Sequence, residues 1–247
     1  MSQTLYEIFQ HGGRSAVEAA ATQQFGVDAT KMLLDFAILG NHNHWAADIL
    51  TTLTPSQRVE LHPSALKMAC LVTNEDMIKE VLSWGVARSE DLPDYTLFLL
   101  RGDGGSVASL SLLLNTLATS ETNLDTALAY ECRLAPHPHQ REMTEGLCKH
   151  ASPLSNERLP LLYALQENNM DLFAGMMPKL LSIPNAHRDV MQFATQLGMS
   201  PLRKAQLEKM WAQGEAVSPV WEKNRIRENL QAQNNQHANP QAKRKIL

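Results

Sequence analysis

The sequence lacks several features that would assign it to a specialised class of proteins. It has three cysteines in 247 residues, and none is paired at a CxxC spacing, so no disulfide framework is indicated. No apolar run reaches the roughly 20 residues that a membrane-spanning helix needs. The N-terminal residues have neither the basic start nor the apolar core of a secretory signal. These absences predict a soluble, cytoplasmic protein that has no membrane partner.

Two further absences concern charge and β-structure. The formal net charge is −4 and the pI is about 6.1, so the chain lacks the basic excess of most nucleic-acid-binding proteins. No segment alternates β-branched and polar residues over the length of a strand. Hydrophobic residues make up 44% and charged residues 19%, which is typical of chains that fold. The composition therefore predicts a folded all-α protein and argues against nucleic acid as its partner.

The chain does contain a recurring pair of short helices. Residues 64–86, SALKMACLVTNEDMIKEVLSWGV, carry apolar residues at helical spacing on both sides of a break at Thr73-Asn74. Gly85 follows the last periodic residue, as expected of a glycine at a helix C-terminus. Each helix is too short to be stable in isolation, so a neighbouring element must cover its apolar stripe.

The same layout recurs at a spacing of about 32 residues. Four segments carry an alanine at the equivalent position before the turn: Ala37, Ala69, Ala164 and Ala194. Residues 95–114 and 125–147 fit the layout less well, and the second has a longer, proline-bearing middle. Self-similarity at such a period predicts an α-solenoid, because one helix pair cannot bury its own apolar face whereas a row of pairs can.

The unit at residues 64–86 resembles the ankyrin repeat. Ala69-Cys70 stands at the paired alanines of that family, Asn74 at its turn histidine and Asp76 at its glutamate. Other units keep parts of this pattern, but the Thr-Pro-Leu-His tetrad of the family is nowhere intact. The resemblance implies a degenerate ankyrin-like array of stacked helix-turn-helix units. A more general α-solenoid and an ordinary helical bundle remain as alternatives.

The resemblance covers most of residues 30–210 and predicts three parts of the chain. Residues 1–29 form a variant or capping helical unit, and residues 30–212 form the repeat array. Residues 213–247 form a polar helix and a flexible basic tail, because few apolar residues remain there to pack. The tail ends in a short basic cluster at 243–245, which leaves a nucleic-acid contact open as an alternative function.

The resemblance implies a non-catalytic protein–protein interaction module that binds another protein through its concave face and loop tips. Degenerate arrays of this kind are similar to those of bacterial effectors, which would act in a host cytosol. In an ankyrin-like unit the two residues after the paired alanines face the concave side, and in one unit these are apolar. A tryptophan also replaces the usual charged residue before the terminal glycine of that unit. The predicted partner-binding residues are Leu39, Leu71, Val72, Trp84, Gln166 and Glu167.

The competing hypothesis is an enzyme or a metal-dependent regulatory subunit with a site in residues 131–150. That segment concentrates five side chains able to bind metal or to act as nucleophile and base: Cys132, His137, His139, Cys148 and His150. A zinc site needs three or four such ligands to converge, and a cysteine nucleophile needs an adjacent base, but no flanking signature indicates either. The glycine-rich stretch at 101–105 lacks the Lys-Ser/Thr of a phosphate-binding loop. We therefore predict no catalytic residue, no metal and no cofactor.

Overall fold

The computed structural model describes residues 26–102, 105–154 and 159–217, and every regular element in these ranges is helical. They contain twelve α-helices and one 3-10 turn, Ser89–Asp91, and no strand, which confirms the predicted all-α class for this part of the chain. The helices are α1 Gly26–Leu39, α2 Asn43–Thr52, α3 Pro55–Leu71, α4 Glu75–Leu82, α5 Leu92–Arg101, α6 Val107–Leu117, α7 Asp125–Glu131, α8 Gln140–Leu147, α9 Leu159–Gln166, α10 Met170–Leu180, α11 Ala186–Gln196 and α12 Pro201–Val217.

Two predicted parts of the chain lie largely outside these ranges. Of the predicted capping unit, only residues 26–29 are described, and they begin α1. Of the predicted polar helix and tail, residues 213–217 are described and continue α12. Residues 218–247, which include the basic cluster, lie outside the described part of the chain.

Four helix pairs are joined by the same backbone turn: α1–α2, α3–α4, α9–α10 and α11–α12. In each pair the N–H after the turn donates to the carbonyl oxygen five residues earlier, at 2.8, 3.0, 2.9 and 3.1 Å respectively. The residue before that N–H has a positive φ in every case. This combination is the Schellman helix ending. The positive-φ residues are Asn41, Thr73, Asn168 and Gly198, and the accepting carbonyls belong to Ala37, Ala69, Ala164 and Ala194.

Side chains placed just before several helices satisfy N–H groups that have no partner inside the helix. Thr54 accepts from the Gln57 N–H, and the Gln57 side chain accepts from the Thr54 N–H, so α3 begins with a reciprocal capping box. Asn74 accepts from the Met77 N–H at 3.1 Å and caps α4. These local signals fix where α3 and α4 start, so the chain reverses direction over a few residues before each of them.

The chain divides into two compact units, the first ending at Ala151 and the second beginning at Ser152. This division falls inside the predicted 30–212 array. In the first unit the first helices of successive pairs pack in order, α1 against α3, α3 against α5 and α5 against α7. The second helices do the same, α4 against α6 and α6 against α8. Each first helix contributes a leucine that is at most 1% exposed: Leu34, Leu66, Leu99 and Leu128.

Two close contacts join neighbouring pairs in the first unit. The Asn74 amide donates to Asn41 Oδ1 at 2.9 Å and to Asn43 Oδ1 at 2.6 Å, which links the turn of α3–α4 to the turn of α1–α2. Gly102, just after α5, lies so near the carbonyl group of Leu71 that a Cβ at this position would overlap the carbonyl oxygen. The end of α5 therefore packs backbone to backbone on the end of α3.

In the second unit α10 packs against both α9 and α12, and α11 packs against α12. Phe173 is fully buried, and Trp211 of α12 is 4% exposed. Gly214 lets α12 approach α10, because a Cβ there would meet the Met177 and Leu181 side chains.

Candidate functional site

The six residues predicted to bind a partner are divided between the two units. Leu39 and Leu71 are the last residues of α1 and α3, and Leu39 is 46% exposed whereas Leu71 is half-buried. Val72, which follows α3, is also half-buried. Gln166 and Glu167 belong to the second unit, at the end of α9, and both are exposed. The equivalent position in the shared turn is therefore apolar in two pairs of the first unit and polar in the second.

Trp84, which is predicted above to bind a partner, is half-buried. Its ring packs edge-on to the His62 ring at 6.2 Å between centroids, and the Arg58 guanidinium lies 5.7 Å from its centroid. The indole N–H is buried and has no hydrogen-bond acceptor among the described residues. Burial lowers the pKa of His62, so this imidazole is neutral at pH 7. Trp84 thus packs on α3, and its part in partner binding stays a prediction.

A row of cationic and aromatic side chains crosses three first helices of the first unit. Lys67 of α3 lies with its Nζ 5.4 Å from the Phe98 ring centroid on α5. Arg101 of α5 lies with its Cζ 5.7 Å from the Phe98 centroid and 5.8 Å from the Tyr130 centroid on α7. Phe98, Tyr130 and Lys67 are half-buried and Arg101 is exposed. We call Lys67, Phe98, Arg101 and Tyr130 the arginine–aromatic row.

The two cations of the row differ in their electrostatic partners. Lys67 Nζ is 3.3 Å from the Asp94 carboxylate, so its charge is compensated. Among the described residues, no carboxylate pairs with the Arg101 guanidinium and no acceptor takes its N–H groups. By contrast, Arg88, which is also exposed in this unit, is 3.1 Å from the Glu90 carboxylate. Arg101 therefore lies against two rings, and none of its donors reaches an acceptor among the described residues.

The row is not among the residues predicted above, although the sequence carries a signal for it. Lys67, Phe98 and Tyr130 are about one repeat apart and occupy corresponding positions on successive first helices. Aligning those positions, rather than only the positions after the paired alanines, would have brought them together. Leu71 is the predicted site residue that lies near the row, because its carbonyl group contacts Gly102, which follows Arg101.

The His/Cys-rich segment at residues 131–150 is organised around one buried acid. Glu131 is fully buried, and its Oε1 is 2.8 Å from His137 Nε2. Burial raises the pKa of Glu131, and the hydrogen bond from His137 partly opposes that shift. His137 therefore bridges the loop to the end of α7, and the pair is explained by packing of this loop.

The thiols of the segment are poorly suited to nucleophilic chemistry. Cys132 and Cys148 are both buried and unoxidised. Burial raises the pKa of Cys132 well above its usual range, so the reactive thiolate form is disfavoured at neutral pH. Within residues 26–102, 105–154 and 159–217, no group of three or more His, Cys, Asp or Glu side chains is arranged to hold a metal ion.

A cavity of about 480 Å³ opens in the second unit beside the shared turn of α11–α12. It is lined by the ends of α9 and α11 and by the start of α12, including Gln166, Gly198 and Arg203. Gln166 is one of the residues predicted to bind a partner. The cavity is lined by residues of the turn and by one exposed cation, Arg203. No buried polar side chain is among its lining residues.

Comparison of the chain with family models, with curated proteins and with solved structures gave no match. The ankyrin resemblance thus stays a prediction from the repeated residues. In the described ranges, no helix combines the length and the apolar character needed to cross a membrane.

Proposed function

We propose that this protein is a non-catalytic, cytoplasmic interaction module that binds another protein through the first helices of an ankyrin-like α-solenoid. The observation that carries the proposal is the arginine–aromatic row. Arginine and tyrosine are enriched among the residues that contribute most to protein–protein affinity, particularly where neighbouring side chains hold them in place. The row presents such residues on a surface formed by three successive helices.

The packing of the first unit supports the solenoid part of the proposal. First helices contact first helices and second helices contact second helices in chain order, which is the arrangement that stacked hairpins adopt. The row lies on the first helices alone, so a partner that binds it contacts several pairs at once. Leu71, at the end of α3, and Leu39, at the end of α1, add apolar area at the ends of first helices.

The experiment compares immobilised wild-type protein with Arg101→Glu and with Arg88→Glu. Both arginines are exposed on the first unit, but Arg88 is already paired with Glu90, so it is a matched control. Proteins retained from lysate are identified by mass spectrometry, and each candidate is then purified and titrated by calorimetry. Circular dichroism verifies that all three proteins are folded.

We expect a purified partner that binds wild type and Arg88→Glu with the same Kd and binds Arg101→Glu at least tenfold more weakly. Equal binding to all three proteins would place the interaction elsewhere. A wild-type protein that retains nothing above a bare support would contradict the proposed function. The suggested action as a bacterial effector stays a prediction, since it depends on what the partner is.

A further inference from the structure

We propose that the arginine–aromatic row recognises a peptide segment of its partner in which an Asp or Glu side chain is followed or preceded by an apolar residue. This inference rests on the proposed function and specifies the chemistry of the partner. The carboxylate binds Arg101, and the apolar residue packs beside Phe98 and Leu71.

Arg101 can form two hydrogen bonds with one carboxylate of a partner. A guanidinium presents five N–H donors in a rigid, planar fork that matches a carboxylate through two parallel hydrogen bonds. Arg101 spends none of them on an acceptor within the described part of the chain, while its Cζ is 5.7 and 5.8 Å from two ring centroids. The rings restrict the side chain before the partner arrives, so little additional conformational entropy is lost on binding.

The charges around the row favour a partner that presents a single negative charge. Lys67 is neutralised by Asp94, and Asp94 keeps 63% of its side-chain surface exposed. Within the described part of the chain, the row therefore offers one cation without a paired carboxylate, Arg101, beside the exposed carboxylate of Asp94. A nucleic acid gains its affinity by neutralising many phosphates at once, and Asp94 would repel such a polyanion. A single carboxylate matches this charge arrangement better.

Phe98 and Leu71 provide apolar surface beside the proposed carboxylate site. Phe98 is half-buried between the two cations, and Leu71 is half-buried at the adjoining end of α3. Gly102 keeps these two helix ends in backbone contact, and Leu71 lies one helical turn after Lys67, whose Nζ is 5.4 Å from the Phe98 ring centroid, so Leu71 is placed next to the row. Covering exposed apolar area beside a polar anchor excludes water from the hydrogen bonds of that anchor.

The test is a selection from a display library of random peptides on immobilised wild-type protein, with counter-selection on Arg101→Gln. Glutamine keeps part of the length of arginine but removes the charge and the fork. Enriched peptides are synthesised in two forms, with the acidic residue intact and with it changed to its amide. Their affinities are measured by fluorescence anisotropy for wild type, Arg101→Gln, Arg101→Lys and the control Arg88→Gln.

We expect the enriched peptides to share an acidic residue next to an apolar one. Changing the acid to its amide is expected to weaken binding to wild type about tenfold to a hundredfold, the range for a lost charge-assisted hydrogen bond. The same change is expected to have no effect on Arg101→Gln, and Arg101→Lys is expected to bind with intermediate affinity because it retains charge without the fork.

Peptides that depend on Arg101 but carry no acidic residue would overturn the inference and leave the proposed function standing. A loss on amide substitution that is as large in Arg101→Gln as in wild type would also overturn it. If no peptide is enriched on the wild-type protein relative to Arg101→Gln, both proposals are overturned. A single-stranded oligonucleotide that binds wild type more tightly than the best peptide would replace the carboxylate partner by a nucleic acid.

Discussion

The four helix pairs with the shared turn differ from the two middle pairs, α5–α6 and α7–α8, in how their helices are joined. In the four, a single positive-φ residue and one hydrogen bond to an alanine carbonyl reverse the chain. In the middle pairs the connections are longer: that of α5–α6 contains Gly102 and Gly105, and that of α7–α8 contains His137, which is hydrogen-bonded to the buried Glu131 at the end of α7. Three of the four side chains of the arginine–aromatic row also come from the middle pairs. The regular turns therefore set the spacing of the helices. The irregular pairs carry most of the arginine–aromatic row and the Glu131–His137 hydrogen bond.

The largest effect is expected at Gly102, which tests the irregular side of the comparison. Its φ is negative, so the glycine is needed for closeness to Leu71 and not for backbone conformation. Because the obstructing atoms are backbone, Gly102→Ala is expected to lower the free energy of unfolding by about 3 kcal/mol. Urea denaturation followed by circular dichroism measures this value.

The control for Gly102 is Gly198→Ala in a regular turn. Gly198 has a φ of 69° and open space around it, so only backbone strain of about 1 kcal/mol is expected. Equal losses for the two variants would mean that contact between α3 and α5 is no tighter than an ordinary turn.

The next effect concerns Asn74, the residue that joins two regular pairs. Asn74→Ala removes the cap of α4 and both bonds to Asn41 and Asn43, and is expected to lower the free energy of unfolding by about 2 kcal/mol. Asn74→Ser keeps a capping oxygen but lacks the amide group that donates to Asn41 and Asn43, so it is expected to recover about half of this loss. Thermal and urea unfolding of the three proteins tests the division. If serine and alanine give the same loss, the cap contributes nothing measurable.

A third effect tests the buried acid of the irregular pair α7–α8. Burial raises the pKa of Glu131 above its usual value of 4.5, so the folded state binds its proton more tightly than the unfolded state does. The stability that this group contributes is present below pH 4.5 and is lost as the pH rises through its folded-state pKa. Glu131→Gln removes the charge but keeps a hydrogen-bond acceptor for His137.

The expected result is a variant that is more stable than wild type by about 1 kcal/mol at pH 8, with the difference shrinking toward pH 4. Urea unfolding at several pH values measures the difference. A variant that is less stable than wild type at pH 8 would mean that the charged hydrogen bond to His137 outweighs the burial of Glu131.

The smallest effect is expected at Thr73, which has a φ of 52° although threonine is β-branched. Asn41 and Asn168 hold the same position in two other regular turns. Thr73→Asn is therefore expected to raise the free energy of unfolding by about 0.5 kcal/mol. A rise in Tm with an unchanged circular dichroism spectrum would agree, and a fall would mean that the threonine methyl group makes a compensating contact.

The helices and regular turns were the most predictable features, because their signals are local. Apolar spacing identifies the helices. The residue four positions after each aligned alanine, Asn41, Thr73, Asn168 or Gly198, has a positive φ. The boundaries were less predictable. α3 begins at Pro55 and contains Pro63, although a proline inside a helix usually signals a break. The capping box at Thr54 explains the earlier start.

The candidate surface was less predictable than the helices because it depends on which side chains meet across different pairs. The exposure of Trp84, which follows α4, depends on Arg58 and His62, which lie on the preceding helix α3. The row depends equally on contacts between α3, α5 and α7. Such contacts leave no pattern inside one segment, so periodicity alone cannot identify them. They become visible only when equivalent positions of successive units are compared.

The packing of the first unit in chain order has a consequence for how it folds. α1, α3, α5 and α7 each pack on a neighbouring helix of the same series, so few contacts close long loops of chain. A low contact order of this kind favours rapid folding, because little loop entropy is lost before native contacts form. It also lets the first described pair detach without breaking the contacts between the later pairs, so amide hydrogen exchange should be slowest in α3 and α5 and faster in α1 and α2.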